Sequence, residues 1–248
     1  MSETSILTLL LVIITADFAL ERFLGYLNNQ SAKKPIPEEL KGIYDEEKYA
    51  KSQAYNRATS KFGMLTATFS FVLLFVAVYF GWFGVLDKWL REFSPFAPVT
   101  TLMFFGALFV ISDVIGTPFS LYQTFILEEK FGFNKMTQKT YWLDKLKSYL
   151  LTILIGGILL AALVYLVMEM GSGFWIYFWG VITVFILFMN VFYTSLLLPL
   201  FNKLTPMEDG ELKQSIEQYS EKVKFPLKNI FVMDGSKRSS KGNAFFSG

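Results

Sequence analysis

The side chains that could do acid/base or metal chemistry are few in this chain, and the two most useful types are missing. With no histidine and no cysteine, the 248 residues hold neither an imidazole nor a thiolate. That excludes a Ser-His-Asp centre, an ordinary zinc site and any disulfide built from this sequence alone. What remains is carboxylates and cations. Glu128 and Glu129 are adjacent acids, but neighbours on a helix point about 100° apart and cannot flank one scissile bond. The pair therefore reads as structural, one of the two anchoring a bend to a cation such as Arg57 or to a cytoplasmic domain. Asp113 stands inside an apolar run, where a carboxylate facing lipid is costly. It either forms a polar wall of a water-filled chamber or pairs with a neighbouring helix. Asp17 is expected to face inward and pair with Arg22, whose long side chain can snorkel. Lys237, Arg238 and Lys241 offer charge for an anionic lipid or a phosphate, yet lack the Gly-x-x-x-x-Gly-Lys order. A solvated loop is the simpler reading.

Membrane helices must position these groups. The chain is 53% hydrophobic, with 27 Phe and a mean hydropathy of +0.40, a composition of multi-spanning membrane proteins rather than soluble globules. Its net charge of +2 is dispersed, with no basic stripe interleaved with aromatics, which argues against a nucleic acid partner. Five apolar segments are long enough to cross a hydrocarbon core of about 30 Å: near residues 5 to 27, 62 to 83, 99 to 119, 150 to 169 and 174 to 200. Residues 1–200 are thus expected to form an all-α multi-pass bundle whose first partner is the lipid bilayer. The first segment begins Ser2-Glu3-Thr4 rather than with basic residues, so it reads as a retained helix and not a cleaved signal. Asn190, Thr194 and Ser195 suit interhelical hydrogen bonds, and Gly156-Gly157 a close helix contact.

Cations set the expected orientation. Lys33, Lys34, Lys41, Lys48, Lys51, Arg57 and Lys61 crowd the first connection; Lys130, Lys135, Lys139, Lys145 and Lys147 the third; and many more follow Phe201. The second connection has only Lys88 and Arg91, and the fourth, around Gly171 to Gly173, has none. The N-terminus is then outside and the tail cytoplasmic.

The connections carry structure of their own. Lys34-Pro35-Ile36-Pro37 has turn chemistry, and Glu38 to Lys61 is a helix-compatible extension of the second span. Residues 121–148 alternate apolar and charged positions as a bent amphipathic hairpin, with the bend at Gly132 and Asn134. Beyond the last span, Thr205-Pro206-Met207-Glu208 matches a helix start, with Thr205 as cap, Pro206 in the first turn and Glu208 closing a capping box. A helix from Pro206 to Val223 is expected, stopped by Pro226. Asn229 to Met233 then reads as a strand closed by Asp234-Gly235, and Asn243 to Phe246 as a second, nascent strand with no later element to pair with it. Residues 201–248 are the first piece of a cytoplasmic α+β domain, and the segment after Ser236 is expected to lack stable order by itself.

Three stretches, FSLYQTFILEEKFGFNKMT (residues 119–137), LPLFNKLTPMEDGE (198–211) and FPLKNIFVMDGSKRSSKGNAFFSG (225–248), resemble the N-terminal half of the integral-membrane CAAX prenyl proteases, a type I family of zinc metallopeptidases. The resemblance covers nearly the whole chain in order and spacing. It implies membrane helices around an intramembrane chamber capped by a cytoplasmic peptidase domain, with zinc as cofactor and a peptide or protein, lipidated or membrane-bound, as substrate. It also implies that Asn243, Ala244 and Phe245 lie along the active-site cleft and pair with an extended peptide; the plain alternative is a sheet strand whose Phe side chains fill a core.

The family's H-E-x-x-H motif, which holds zinc on one helical face with the Glu as base, has no counterpart here. No catalytic and no metal-binding residue is therefore assigned to this chain. It reads as the N-terminal segment of a metalloendopeptidase, truncated before that motif and inactive alone, its missing C-terminal peptidase domain being the remaining partner. A non-catalytic membrane scaffold or subunit is the alternative from another class. A small-molecule transporter is weaker still, because no internal repeat is visible and the long polar tail serves no transport step.

Overall fold

A computed structural model of the chain describes residues 2–31, 42 and 45–246. The turn chemistry at Lys34 to Pro37 lies outside the described residues, as do the first residues of the helical extension expected from Glu38. The chain divides into two compact units, Met1–Phe131 and Gly132–Gly248.

In the first unit, α1 (Glu3–Ser31) packs against α2 (Glu46–Tyr79), and α3 (Trp82–Arg91) against α4 (Ala97–Tyr122). Asp45 caps α2 by accepting from the Lys48 amide at 2.9 Å, so the polar extension of the second span is real from that point on. Aromatic rings set the helix pairing. Phe18 of α1 stacks on Phe71 at 4.2 Å, while Phe62 and Phe69 of α2 meet Phe119 and Tyr122 of α4. Gly81, at φ +66, breaks the run after α2, a conformation a Cβ would strain. The short amphipathic α3 that follows was not anticipated. Its Leu90 is 4% exposed, and Thr100 at the start of α4 is 2% exposed with its hydroxyl donating to the Ser94 carbonyl at 2.9 Å. A π-helical turn, Gln123–Glu128, prolongs α4 and buries Leu127.

In the second unit, Thr137 caps α5 (Gln138–Leu151), accepting from the Thr140 amide at 3.1 Å. A π turn at Thr152–Gly156 leads into α6 (Gly157–Met170). At Gly171, φ +53, a 3₁₀ turn reverses the chain into α7 (Phe174–Phe192), followed by another π turn and the short α8 (Leu198–Phe201). The stretch doubles back on itself: Lys147 of α5 donates to the Leu200 carbonyl of α8 at 2.8 Å. Strands β1 (Leu204–Pro206) and β2 (Phe231–Met233) then pair antiparallel, with α9 (Glu211–Lys222) between them in sequence.

Among the described residues, four helical stretches are long and apolar enough to cross a membrane: Glu3–Gln30, Glu46–Tyr79, Ala97–Glu128 and the 64 residues Gln138–Phe201. Their apolar side chains point outward, Trp179 at 70% and Val184 at 68% exposure, and helices can do this in lipid because each satisfies its own backbone.

Several expectations are corrected. The Thr205-Pro206 pattern does not start a helix. Both residues sit in β1, where Pro206 opposes Phe231, and α9 begins only at Glu211 with Gly210 before it. Pairing with β2 outweighs the local capping pattern, and Pro is tolerated there because it ends a short edge strand. The strand expected at Asn229 to Met233 is found, shortened to Phe231–Met233. Asn190 and Ser195 bond to Ile186 and Phe192 carbonyls of their own helix, at 2.9 and 3.1 Å. Gly156-Gly157 is no close contact: a Cβ on Gly156 would meet only Thr152 of the adjoining turn, and one on Gly157 nothing. Asp17 is exposed and makes no ion pair with Arg22, whose guanidinium lies 5.5 Å above the Phe18 ring. Five residues along a helix amounts to about 140° of rotation, which turns the two side chains apart.

Candidate functional site

The polar features gather at two places, one in each unit. In the first, the π turn after α4 delivers Glu128 to α2, where the Tyr55 hydroxyl donates to its carboxylate and the Tyr55 ring packs edge-on against Phe131 at 5.3 Å. The anchoring role expected of one glutamate thus has a partner, and it is a tyrosine two residues before Arg57. Asp113 is half-buried, with Thr117 one turn on donating to its backbone carbonyl at 2.6 Å.

In the second unit, Gly132, at φ +77, makes the expected bend. The following residues are tied to the loop after β2. The Lys135 amide donates to the Arg238 carbonyl at 3.1 Å, the Ser240 amide to the Phe133 carbonyl at 3.0 Å, and the Ser240 hydroxyl to the Gly132 carbonyl at 2.8 Å. Asn134 and Ser239 form an isolated antiparallel bridge. Arg238 locks the arrangement. Its Nε and Nη2 grip both carboxylate oxygens of Asp144 on α5 at 2.6 and 2.9 Å, and its Nη1 donates to Asn202 Oδ1 at 2.9 Å. Such a planar fork on a carboxylate is geometry only arginine supplies. Donating to the Asp144 carboxylate raises the Arg238 pKa above its ordinary value.

This bears on two readings. The segment after Ser236 is tied to the residues after Gly132 through Ser240, and its cations have partners within the chain although Lys237 and Lys241 stay exposed. Lys237 pairs with Asp234 at 2.6 Å, Arg238 with Asp144, and Lys241 lies 4.7 Å above the Phe133 ring. Asp144 and Asn202 escaped the sequence reading. The available signal was Asp144 itself, the one acid between Lys139 and Lys147.

Lys237 also holds the Asp234 carboxyl below the usual carboxylate range, chiefly by hydrogen bonding to it. A depressed carboxylate contributes stability above its unfolded pKa of about 3.9 and loses it as pH falls through the lower folded value. The turn should therefore stay closed at neutral pH and loosen only in acid below about pH 4. Carbon-13 titration of the Asp234 carboxyl should show a low midpoint that rises in Lys237→Met; an unchanged midpoint in the variant would contradict this cause.

Past the tie, Asn243, Ala244 and Phe245 are exposed. They are in no strand; the Ala244 amide turns onto Asn243 Oδ1 at 2.9 Å, and Phe246 packs edge-on against Phe225 at 5.5 Å. A strand exists only through a partner's hydrogen bonds, and none of the described residues supplies them here. Among the described residues, no three His, Cys, Asp or Glu side chains come together to hold a metal ion. The described residues thus offer no set that fits the zinc implied by the family resemblance.

Long apolar helices with outward-facing hydrophobic residues, and a polar connection whose residues after Gly132 are tied to the loop after β2, define a multi-pass helical membrane protein. The model of the family described as CAAX prenyl protease N-terminal, five membrane helices, matches residues 26–203, and the chain belongs to that family. It is 37% identical over 248 residues to CAAX prenyl protease 1 of Saccharomyces cerevisiae, covering 94% of this chain and 54% of that protein. It is 34% identical to the CAAX prenyl protease 1 homolog of Arabidopsis thaliana, covering 93% and 56%. The crystal structure of S. mikatae Ste24p superposes with a TM-score of 0.88 at 34% identity, covering 98% of this chain and 58% of that one. The chain thus spans about half the length of the curated relatives it matches.

Proposed function

We propose that this chain is the membrane-embedded portion of a zinc metalloendopeptidase that cleaves C-terminal CAAX-type peptides on prenylated or otherwise membrane-bound substrates. In this reading it builds the chamber wall and presents Asn243, Ala244 and Phe245 as the first substrate-aligning strand. The zinc ligands lie on residues outside this chain, so residues 1–248 alone are inactive. Gln138–Phe201 counts as two spans meeting at Gly171, because 64 residues of helix would measure about 96 Å, three times the hydrocarbon core. That makes five spans, with the N-terminus outside and the tail on the cytoplasmic side.

The observation that carries the proposal is the tie between the two sequence signatures. FGFNK of the hairpin and GSKRSSKGN of the tail meet through Lys135, Phe133 and Ser240, and the tie leaves the next residues, Asn243 to Phe245, exposed beside it. A peptide laid along them would supply the ladder partner they lack. The scaffold and transporter readings account for neither the signatures nor the tie. The test is proteolysis of a prenylated CAAX peptide in proteoliposomes. The full-length protein should cleave it, o-phenanthroline should abolish cleavage and added zinc restore it, while residues 1–248 alone should give none. Cleavage by 1–248 alone, or cleavage insensitive to the chelator, would sink the proposal.

A further inference from the structure

Away from the hairpin and the tail, the first unit carries a cleft that the peptidase reading does not use. It opens between the C-terminal half of α1 and the N-terminal half of α2, has a volume of about 450 Å³, and is lined by Arg22, Asn28, Asn29, Asn56, Ser60 and Gly63 among others. Among the described residues no carboxylate lines it; Glu21 belongs to the adjoining depression on α1. Arg22 is half-buried, and its Nε is shielded from solvent with no hydrogen-bond partner. A buried guanidinium N–H left unpaired is costly enough to call for a missing acceptor. Space for that acceptor comes from Gly63, where nothing stands within 4 Å of an added Cβ.

The cleft also lies at a particular depth. On α2 it begins in the polar turn around Asn56 and ends at Met64, where the apolar run starts; on α1 it begins at Arg22, just past the apolar segment. Asparagine amides therefore ring one end and hydrocarbon the other, as at a headgroup boundary. Beside the apolar end, Leu24, Met64 and Leu65 are about half exposed, offering a surface along which acyl chains could run.

We propose that this cleft binds the phosphate of one anionic phospholipid, Arg22 donating its free N–H to a phosphate oxygen while the Asn28, Asn29 and Asn56 amides and the Ser60 hydroxyl receive the polar headgroup. Guanidinium and phosphate form charge-assisted bonds, and a described lining that carries a cation and no carboxylate favours a net anionic lipid over a zwitterionic one. The acyl chains stay on the apolar helix faces next to the cleft, which a soluble phosphate cannot use.

The test is native mass spectrometry of the full chain released from phosphatidylcholine nanodiscs containing a minor fraction of phosphatidylinositol. One phosphatidylinositol should remain bound per chain, and Arg22→Gln should cut that retention about tenfold, the value of one charge-assisted hydrogen bond. Gly63→Leu, which fills the cleft from a position with open space, should do the same without touching the arginine. Arg57→Gln, which removes an exposed cation outside the lining, should leave retention unchanged. The proposal is overturned if Gly63→Leu retains the lipid as the parent does, if Arg57→Gln loses it as fully as Arg22→Gln, if phosphatidylcholine is held equally well, or if inorganic phosphate displaces the lipid and so marks the ligand as a soluble anion. Near-ultraviolet circular dichroism of each variant separates loss of the lipid from loss of the fold.

Discussion

Arg238→Ala is expected to release the loop after β2 and destabilise the tie to the hairpin by about 2 kcal/mol, the scale of hydrogen bonds to a charged partner. Arg238 and Asp144 side chains are only 22% and 17% exposed, so solvent screens their interaction little. Removing the guanidinium also leaves Asp144 and Asn202 to find new donors. Amide hydrogen exchange at residues 135, 238 and 240 should accelerate about 30-fold, the equivalent of 2 kcal/mol, while exchange in α1 and α2 stays as it was. Arg238→Lys keeps the charge but cannot span both carboxylate oxygens and Asn202 at once, so it should recover less than half of the loss. A reversed pair, Arg238→Asp with Asp144→Arg, should recover more than either single reversal. Unchanged exchange in Arg238→Ala would show that the backbone bonds hold the loop unaided.

Ala244→Pro is expected to lower peptide cleavage by the full-length protein about 10- to 100-fold, the kinetic equivalent of losing one buried main-chain hydrogen bond. The argument rests on the proposed substrate strand. Proline removes the N–H that would have to leave Asn243 Oδ1 and turn to the substrate. Its ring still favours an extended residue before it, so the backbone path survives. Ala244→Ser, which keeps the N–H, should cleave at nearly the parent rate. Because residue 244 is exposed, thermal stability should barely move, and a proline variant with full activity would remove Ala244 from the substrate path.

The membrane helices were legible because their signal is compositional. Apolar runs such as Ile6 to Ala16 admit one environment: α1 and α4 begin within a few residues of the hydropathy limits, and α2 and α5 extend to the capped polar turns at Asp45 and Thr137, whereas α3, which runs on to Arg91, had no counterpart. The bend at Gly132 was legible for a related reason, since φ +77 suits glycine and few other residues. The start of α9 was misread because a local pattern at Thr205 competed with a partner strand 27 residues away, and no local rule weighs that pairing. The three π turns carry no sequence mark at all.

The site divides along the same line. Residue types alone established that this chain can hold no imidazole or thiolate ligand, that its helices belong in lipid, and which family its signatures match, because composition and contiguous motifs need no partner to be read. Tertiary structure alone decided that Arg238 faces Asp144 across 94 residues, that Glu128 meets Tyr55 across 73, and that Arg22 turns away from Asp17 toward an open cleft. A side chain's partner depends on which helices pack together and on the rotation of each about its axis. Both are properties of the assembled helices, which hydropathy leaves open.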